Sequence, residues 1–600
     1  MQHTTDTISI DQAPTLDALF RARVNRSLDR VAYVQYDEVH HRWDKTTWQE
    51  MGQQVARWQA AMAQDDLKPG DRVALMVRNC KEWVIFEQAA LGLGLAVIPI
   101  YTNDRPENIG YILQDAGVKL FLIEDNEQWE DLQEIQDQLA GLVRIVTLKP
   151  VGPAMLQPHL VYANDWLPAE GGEVQPHENS PDDLASIVYT SGTTGRPKGV
   201  MLSHHNILWN VHAALKVYAI YPDDRFLSFL PLSHTFERTV GYYLPMAAGS
   251  SITYARSILK LAEDLLEIKP TLMISVPRIF ERVYAKIMAK LEHDPPIARK
   301  LFNLAVDVGW RKFEHDQGRE PWSPALLLWP LLEKLVASKV QAKLGGNLRF
   351  TVSGGAALSP DITRLFIGLG IPVQQGYGLT ETSPVIGGNT LEDNIPASIG
   401  TPLPGVEVKI GDKDELLTRS PSVMLGYWNN KEATAQMIDG DGWLHTGDKA
   451  RIEQGHIFIT GRIKEIIVLA NGEKVPPADM EMAIALDSLF EQVLVLGEAK
   501  PFLSALVVLD QPQFSNLAKG LGLDPDDSKT LKNKALCKEL RARMAKQLHS
   551  FPGYAQIHRI AIIAEPWTVE AGLITPTLKL KRDRILEVYA HEVEELYKGH

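Results

Sequence analysis

Residues 189–200, YTSGTTGRPKGV, constrain this chain more than any other stretch of its sequence. They follow a β-branched run that ends at Tyr189 and continue into the apolar run 200–202. Between these runs the stretch offers hydroxyl groups, glycines that let backbone N–H groups approach an oxygen anion closely, and the positive charge of Lys198. It therefore predicts a phosphate-binding loop next to a strand. The candidate contacts are Thr190, Ser191, Gly192, Thr193, Thr194, Gly195 and Lys198.

Two other interpretations of this stretch fit its residues less well. A P-loop has the pattern G-x-x-x-x-G-K-[ST] and leads into a helix, whereas here Pro197 precedes the lysine and Gly199 follows it. A P-loop kinase or ATPase is therefore rejected. An exposed Ser/Thr/Gly linker is the plainer alternative, but apolar runs on both sides disfavour it.

The same twelve residues resemble, almost letter for letter, the AMP-binding signature of the adenylate-forming enzymes. That superfamily contains acyl-CoA synthetases, the adenylation domains of peptide synthetases and beetle luciferases. The resemblance implies that the loop holds the phosphates of ATP, and that Thr194 and Lys198 act in catalysis.

Size and composition limit the remaining choices. A single hydrophobic core serves at most about 250 to 300 residues. Because this chain has 600 residues, at least two compact units are expected. The net charge of −14 opposes nonspecific binding to nucleic acid. The two cysteines, Cys80 and Cys537, support neither a disulfide framework nor a cysteine metal site, and a reducing compartment fits.

The sequence predicts no membrane span. The N-terminus has neither a basic n-region nor an apolar h-region, so no signal peptide is expected and the protein is predicted to be cytoplasmic. Residues 83–101 are largely apolar, but Glu87, Gln88 and Pro99 indicate a buried helix that leads into a short strand. A peripheral contact with a membrane stays open.

Strands and helices alternate along the chain. The predicted strands 71–77, 96–100 and 119–123 are separated by helices that begin at Lys81 and Pro106. This alternation is typical of a parallel sheet covered by helices. Residues 16–64 are expected to be helical except for a strand at 31–36. The fold class is therefore α/β, and the absence of a fixed-period repeat excludes a solenoid.

Two later segments place small and polar residues directly after predicted strands. A turn after strand 348–352 lets a flat ring lie on the backbone, and residues 373–382, VQQGYGLTET, supply an aromatic face, a hydroxyl and a carboxylate. Such a set suits adenine stacking, a phosphate contact and Mg²⁺ coordination. A plain turn is the alternative, but the segment resembles the second signature of the same superfamily. The candidates are Gly355, Ala356, Gly376, Tyr377, Gly378, Thr380 and Glu381, with Glu381 and Thr194 as metal ligands.

Residues 442–448, GWLHTGD, resemble the third signature of the superfamily. An ionised carboxylate only accepts hydrogen bonds, so Asp448 is suited to hold two ribose hydroxyls. The following segment 461–465, GRIKE, resembles the hinge between the large and small domains, with Lys464 at the hinge position and Arg462 as a further nucleotide contact. The resemblance thus implies a large AMP-binding domain, residues 1–463, and a small mobile α+β domain, residues 464–600.

The basic segment 573–582, LITPTLKLKR, is by itself an ordinary solvated turn. In the superfamily a lysine at this place swings into the site and bridges the carboxylate and the α-phosphate. Lys579, three residues before Arg582, is the matching position, and Lys581 is the alternative. Most members have glycine just before that lysine, whereas this chain has Leu578, a pattern that resembles the long-chain fatty-acid branch.

Two further features bear on the acid substrate. His234 follows a predicted strand, where a lone histidine is most often a core residue, but the resemblance implies that it borders the acyl pocket. The adjacent Glu237 and Arg238 are expected to be structural. A helical insertion at about 280–345 contains the apolar stretch 321–332, which either packs on its own core, lines an acyl channel or touches a membrane surface.

The predicted function is therefore that of a long-chain fatty-acid CoA ligase. It converts a fatty acid and ATP to an acyl-adenylate with Mg²⁺ as cofactor, and then transfers the acyl group to coenzyme A. The alternatives are a ligase that uses an acyl carrier protein as acceptor, and a nonenzymatic acyl-nucleotide sensor. A sensor is expected to lack Lys579 or Glu381, and both are present.

Overall fold

A large α/β body and a smaller C-terminal α+β unit make up the described part of the chain. The structure is a computed structural model that describes residues 4–152, 159–172, 177–190, 196–549, 551–575 and 578–598. Strands alternate with helices, and most strands of the two long sheets run parallel. The predicted fold class is confirmed.

The elements of the first part, in chain order, are α1 Leu16–Arg26, β1 Val31–Asp37, β2 Arg42–Thr47, α2 Trp48–Met62, β3 Arg72–Met76, α3 Lys81–Gly92, β4 Ala96–Pro99, α4 Pro106–Asp115, β5 Val118–Ile123, α5 Asn126–Leu132, β6 Arg144–Thr147, β7 Leu160–Tyr162, α6 Ala163–Trp166, β8 Leu184–Thr190, β9 Lys198–Ser203, α7 His204–Leu215, β10 Arg225–Ser228, α8 Leu244–Ala248 and β11 Ser251–Tyr254. The segment Glu237–Tyr243 is a π-helix that runs directly into α8.

The elements of the middle part are α9 Leu261–Ile268, β12 Leu272–Ser275, α10 Pro277–His293, α11 Pro296–Asp316, α12 Trp329–Leu332, α13 Ser338–Lys343, β13 Phe350–Ser353, α14 Pro360–Gly368, β14 Val373–Gly378, β15 Val385–Gly388, β16 Thr401–Pro402, β17 Glu407–Ile410, β18 Glu415–Arg419, β19 Gly426–Tyr427, α15 Lys431–Met437, β20 Leu444–Glu453 and β21 His456–Arg462.

The elements of the C-terminal part are β22 Ile467–Val468, β23 Lys474–Val475, α16 Pro477–Ile484, β24 Phe490–Leu496, β25 Leu503–Leu509, α17 Gln511–Gly520, α18 Lys534–Gln547, β26 Ile557–Ile563, α19 Arg582–Val588 and α20 Ala590–Tyr597.

The first long sheet has the strand order β16-β15-β14-β13-β12-β10-β11-β1-β2. The strands from β14 to β1 run parallel, and β2, β15 and β16 are antiparallel additions at the two edges. Every residue of β12 and β13 is buried, as expected of central strands covered on both faces. The carboxyl ends of β13 and β14 meet at one side of the sheet, where open α/β sheets bind their ligands.

The second long sheet has the order β19-β9-β8-β4-β3-β5-β6-β7 and carries the hairpin β8–β9. Residues 83–101 form most of the buried helix α3 and then β4, as predicted. The helix α7 begins directly after β9 because Ser203 caps it. Its hydroxyl accepts from the Asn206 amide at 3.1 Å, and the Asn206 side chain accepts from the Ser203 amide at 2.9 Å.

One secondary-structure prediction in this part was wrong. Residues 42–47 were expected to be helical but form β2, an edge strand that pairs antiparallel with β1. The segment RWDKTT is polar, which suits a solvated edge. The aromatic pair Tyr36 and Trp43 faces across the two strands with ring centroids 5.2 Å apart and stabilises the hairpin.

The C-terminal unit has a sheet in which β24 pairs antiparallel with β25 and β25 pairs parallel with β26. Met480, Phe514 and Leu536, from three helices, are buried in the apolar cluster that covers this sheet. Residues 492–496 and 504–509 lie in β24 and β25. The helix α18 begins at Lys534, since Asn533 caps it by accepting from the Ala535 amide at 2.8 Å. The boundary between residues 463 and 464 stays a prediction.

The predicted insertion is helical. Phe280, Phe302, Trp329 and Leu332 are buried in a common cluster with residues of α14, so one face of the insertion packs on the body. The other face of the apolar stretch 321–332 is open to solvent, with Leu327 71% exposed. No helix within the described ranges has both the length and the apolar character needed to cross a bilayer.

Candidate functional site

The first predicted signature lies at the open end of the hairpin β8–β9. Thr190 ends β8 and pairs across the strands with Lys198, which begins β9. Lys198 is exposed and Thr190 is half-buried, so the lysine side chain is free to meet a ligand. The predicted contacts Ser191, Gly192, Thr193, Thr194 and Gly195 lie outside the described residues.

Tyr427 joins the first signature to the second. The short strand β19 pairs with β9, Tyr427 opposite Val200. The Tyr427 hydroxyl donates to Oε1 of Glu381 at 2.7 Å, and Nζ of Lys198 lies 5.2 Å from the centre of the tyrosine ring. Burial and the negative charge of Glu381 raise the pKa of Tyr427, so the phenol stays a donor. Nothing in the local sequence distinguishes this tyrosine from a core aromatic, and the sequence analysis missed it.

The second signature forms the end of β14 and the 3-10 turn Thr380–Thr382. Gly378 is required here, because a Cβ atom at this position would lie 1.8 Å from the carbonyl oxygen of Pro384 on the return strand. Thr380 accepts a long hydrogen bond, 3.5 Å, from the hydroxyl of Thr235, one residue beyond His234. The second signature and the histidine segment are therefore in direct contact.

Asp448 lies at the centre of a hydrogen-bonded group on the same side of the body. It is opposite Arg462 across β20 and β21, and Nε of Arg462 donates to its Oδ1 at 3.0 Å. The Tyr377 hydroxyl donates to its Oδ2 at 2.5 Å. Burial and the charge of Asp448 raise the pKa of Tyr377 well above its ordinary value. Both oxygens of a buried carboxylate are thus oriented by fixed donors.

The small-residue turn after β13 presents an open backbone surface. Gly355 adopts a φ of +81°, which favours glycine, and both Gly355 and Ala356 are exposed. At the neighbouring Gly354, a Cβ atom would lie 2.8 Å from the Phe236 ring, so the turn packs closely on the segment that carries His234. A flat ring has room to lie over Gly355 and Ala356.

His234 is neutral at ordinary pH and points one ring nitrogen away from the backbone. Its Nδ1 accepts from the Phe236 amide at 3.1 Å, so the neutral ring carries its proton on Nε2. Burial, and then the positive charge of Lys579, lower the pKa of His234 to about 4. The lysine segment and the histidine segment therefore face each other.

The two residues expected to be structural are deeply buried. Arg238 is paired with Glu87 and donates to the Ser186 hydroxyl at 2.8 Å. Burial raises the pKa of Glu237 to about 8, with a small opposing effect of the nearby Ser228 hydroxyl, so this carboxyl group is protonated at neutral pH. Both side chains lie in the core behind the histidine.

Lys579 lies on a tight hairpin. The Thr575 amide donates to the Lys579 carbonyl at 2.8 Å, and the Leu578 amide donates to the Thr575 carbonyl at 2.8 Å. Leu578 has a φ of +62°, the left-handed conformation that glycine adopts without strain. The departure from the family pattern thus falls on a residue whose backbone conformation favours glycine.

The electrostatic surroundings separate the two candidate lysines. Lys579 is exposed to solvent inside a crowded cleft, where desolvation and Arg462 lower its pKa while Asp448, Glu465 and Glu381 oppose that shift. For Lys581, desolvation and the charge of Arg105 lower the pKa, and the charge of Asp104 opposes that shift. Of the two lysines, Lys579 is the one whose pKa is affected by Asp448, Glu381 and Arg462.

The remaining predicted positions are Lys464 and the metal ligands. Lys464 is exposed in the turn between β21 and β22, and its role as a hinge stays a prediction. Among the described residues, no group of three or more histidine, cysteine or acidic side chains is placed to hold a metal ion. A single carboxylate such as Glu381 suits Mg²⁺, which retains water ligands and binds substrate phosphates.

Two family models match the chain: AMP-binding enzyme over residues 20–428, and AMP-binding enzyme C-terminal domain over residues 464–600. The chain is 33% identical over 580 residues to FadD15 of Mycobacterium bovis, a long-chain-fatty-acid--CoA ligase, with 92% of each protein covered. It is 28% identical to AEE15 of Arabidopsis thaliana, a long-chain-fatty-acid--[acyl-carrier-protein] ligase, with 96% of this chain and 86% of that protein covered.

Solved structures share the fold at lower identity. The adenylation domain of a carboxylate reductase from Mycobacterium chelonae superposes with a TM-score of 0.77 at 23% identity, covering 97% of this chain and 91% of that one. The anthranilate CoA ligase AuaEII, in complex with anthranoyl-AMP, gives a TM-score of 0.73 at 20% identity, covering 96% of this chain and 98% of that one.

Proposed function

This chain belongs to the family of AMP-binding, adenylate-forming enzymes, and on that premise we propose that it activates a long-chain fatty acid with ATP and transfers the acyl group to coenzyme A. The products are acyl-CoA, AMP and pyrophosphate. The mycobacterial relative is a long-chain-fatty-acid--CoA ligase, which supports both the acid and the thiol.

One observation carries the proposal: a single cleft brings Lys579 within electrostatic range of His234, Glu381 and Asp448. These residues come from four separate segments of the sequence. A sensor of acyl nucleotides needs the nucleotide contacts but not an ammonium group at the reacting end.

The first step makes the carboxylate reactive. A carboxylate is a poor electrophile because its negative charge repels nucleophiles. One of its oxygens therefore attacks the α-phosphorus of ATP, a carboxyl–phosphorus bond forms, and the bond to the β-phosphate oxygen breaks in line. Lys579 and Lys198 neutralise the charge that gathers on the phosphate oxygens, and catalysis is positioning plus electrostatic stabilisation. No covalent enzyme intermediate is required.

The residues of the large body hold the nucleotide. Asp448 accepts from the ribose hydroxyls, with Arg462 beside it, and the Tyr377 ring stacks on adenine. The backbone around Gly355 and Ala356 lies under the same ring. The phosphates are met by Thr190, Ser191, Gly192, Thr193, Thr194, Gly195, Gly376, Gly378 and Thr380.

Glu381 and Thr194 would hold Mg²⁺, which supplies charge neutralisation to the departing pyrophosphate. The hydrogen bond from Tyr427 occupies Oε1 of Glu381, and no described side chain bonds to Oε2, which is therefore the oxygen proposed to meet the ion. His234 borders the acid and, being neutral, adds no charge that would compete with the lysines.

The second step requires a thiol to reach the acyl carbonyl. The thiolate sulfur forms a bond to that carbon, and the bond to AMP breaks. We propose that the movement that admits the thiol occurs at Lys464, between the domains 1–463 and 464–600, because the charge of Lys579 lies close enough to His234 to lower the pKa of the histidine. Coenzyme A is the proposed acceptor. An acyl carrier protein is the second candidate, since the chain is also similar to a ligase with that acceptor.

A chain-length series tests the proposal. Pyrophosphate release is measured with acids of increasing length, with coenzyme A or acyl carrier protein as acceptor. Each buried methylene contributes roughly 0.8 kcal/mol, so kcat/KM should rise about fourfold per carbon until the acyl site is full. A maximum at acetate-sized or aromatic acids would contradict a long-chain substrate. Faster turnover with acyl carrier protein than with coenzyme A would identify the carrier protein as the acceptor.

The insertion provides a matched pair of variants for the same series. Leu327 and Leu331 are exposed, so replacing both with serine should leave the fold intact. Trp329→Phe changes the buried face at the same place. If the acyl chain uses the exposed face, the double serine variant loses the rise with chain length and Trp329→Phe retains it. If kcat/KM rises with chain length in both variants as it does in the wild type, the acyl site lies elsewhere.

A further inference from the structure

Charged side chains form a series that crosses the predicted boundary between residues 463 and 464. It runs from Asp448 through Arg462 and Glu465 to Arg582, which follows the lysine hairpin directly. We propose that Glu465 and Arg582 are positioning residues that set where Lys579 presents its ammonium group. The proposal rests on the function proposed above, because it concerns the step that needs Lys579.

Arg582 fastens the base of the hairpin to the C-terminal unit. Its Nη2 is paired with Glu481 of α16, and its Nη1 donates to the Val495 carbonyl of β24 at 3.2 Å. Oε1 of Glu481 also accepts from the Val495 amide at 2.6 Å. The Arg582 side chain is only 18% exposed, so these contacts are partly shielded from water. One arginine thus joins the start of α19 to a helix and to a strand.

Hydrogen bonds within the hairpin connect Arg582 to Lys579. The Lys581 amide donates to the Leu573 carbonyl at 2.9 Å, and the Lys579 amide donates to the Thr575 hydroxyl at 3.0 Å. Two residues, both within this bonded segment, separate Lys579 from Arg582. Displacing Arg582 therefore displaces Lys579.

Glu465 lies between two arginines from opposite sides of the predicted boundary. Its Oε1 is 3.9 Å from Nη1 of Arg462, and its Oε2 is 4.0 Å from Nε of Arg582. Arg462 is itself bonded to Asp448, the proposed ribose contact. The carboxylate therefore links the nucleotide side of the cleft to the base of the hairpin.

An ordinary surface ion pair is the competing explanation. Exposed pairs contribute about 0 to 1 kcal/mol, and loss of such a pair would weaken the fold without favouring either half-reaction. A positioning role predicts instead that adenylation suffers while thioester formation does not, because only adenylation uses the lysine in this pose.

The test compares Glu465→Gln and Arg582→Lys with the matched control Arg584→Ala. Arg584 lies on the same helix, but it pairs with Glu587 of that helix. Two measurements are made on the full chain. The first is hydrogen exchange at the amides of Ile463, Thr575, Lys579 and Lys581 without substrate. The second is the rate of each half-reaction, carboxylate-dependent ATP–pyrophosphate exchange and thioester formation from supplied acyl-adenylate with coenzyme A.

We expect Glu465→Gln and Arg582→Lys to increase exchange at these amides and to slow adenylation by about tenfold to a hundredfold, with thioester formation within threefold of the wild type. Arg584→Ala should match the wild type in both measurements. Equal slowing of the two half-reactions, or unchanged hydrogen exchange, would overturn the proposal. If the wild type adenylates no acid at all, the proposed function fails, and the exchange comparison still decides whether Glu465 and Arg582 fix the hairpin.

Discussion

The nucleotide side of the cleft and the lysine hairpin differ in how their reactive groups are held. On the nucleotide side, Asp448 is buried and both of its oxygens accept from side chains fixed on strands. Lys579 is exposed, on a hairpin that contains a leucine in a left-handed conformation. This difference fits the two proposed half-reactions, in which the nucleotide stays bound throughout and Lys579 acts only in adenylation.

The largest effect is expected for Lys579→Ala. Adenylation should fall by a factor of about a hundred to a thousand or more, because one preorganised charge at the reacting phosphate is lost. Conversion of supplied acyl-adenylate and coenzyme A to thioester should remain largely intact. The rate of each half-reaction is measured from the release of its product. Lys581→Ala is the control, because that lysine faces Arg105 and Asp104, and a larger loss there would move the catalytic position by two residues.

Asp448→Asn should have the next largest effect, on the binding of ATP. An amide presents one accepting oxygen, so either Tyr377 or Arg462 would then face an NH₂ group. Each charge-assisted hydrogen bond is worth about 1.5 to 3 kcal/mol, so affinity should fall about tenfold to a hundredfold. Titration calorimetry measures this directly. An unchanged affinity of Asp448→Asn for ATP would mean that Asp448 does not bind the ribose. The nucleotide side of the cleft would then differ less from the lysine hairpin than we infer.

His234 reports whether the hairpin lies against the body in solution. Burial and the charge of Lys579 both lower its pKa, to about 4, so the ring should stay neutral from pH 8 down to about pH 5. Removing the ammonium group in Lys579→Ala should raise that pKa, while burial keeps it below the ordinary 6.5. NMR titration of the imidazole tests this. An identical titration in Lys579→Ala and in the wild type would mean that the hairpin is withdrawn from the cleft.

The smallest effect is expected for Leu578→Gly. A left-handed conformation costs a non-glycine residue about 1 to 2 kcal/mol, and the greater freedom of glycine in the unfolded chain offsets about half of that. Differential scanning calorimetry should therefore show a slightly higher Tm, with adenylation within about threefold of the wild type. Leu578→Ala is the matched control, because it keeps the backbone strain and removes the side chain. If alanine has the same effect as glycine, the side chain and not the backbone is responsible.

Sequence patterns predicted the α/β class and the central elements because buried strands and helices have distinctive periods. The helix α3 and the strand β4 are examples. The strand β2 was missed because its polar sequence gains its structure from pairing with β1 rather than from its own pattern. Local preference competes with such pairing along any edge strand.

The candidate site residues were predicted from their signatures, and the contacts that were not predicted lie outside those signatures. Tyr427 contacts Glu381 only because β19 pairs with β9, which joins residues more than 200 positions apart. Glu465 was noted as part of the hinge pattern, but its position between two arginines depends on how the C-terminal unit packs. Contacts of this kind have no local sequence signal.

The pairing of β19 with β9 also determines when the proposed ATP site can form on a ribosome. The edge of β9 stays unpaired until Gly426 and Tyr427 have been synthesised. At translation rates of about 5 to 20 residues per second, this takes at least about ten seconds. During that interval the nascent hairpin β8–β9 presents an unpaired edge to other chains, a known hazard for aggregation. A polypeptide that stalls before residue 426 cannot close this edge, so nascent chains in that window are the natural clients of a chaperone that binds exposed strands.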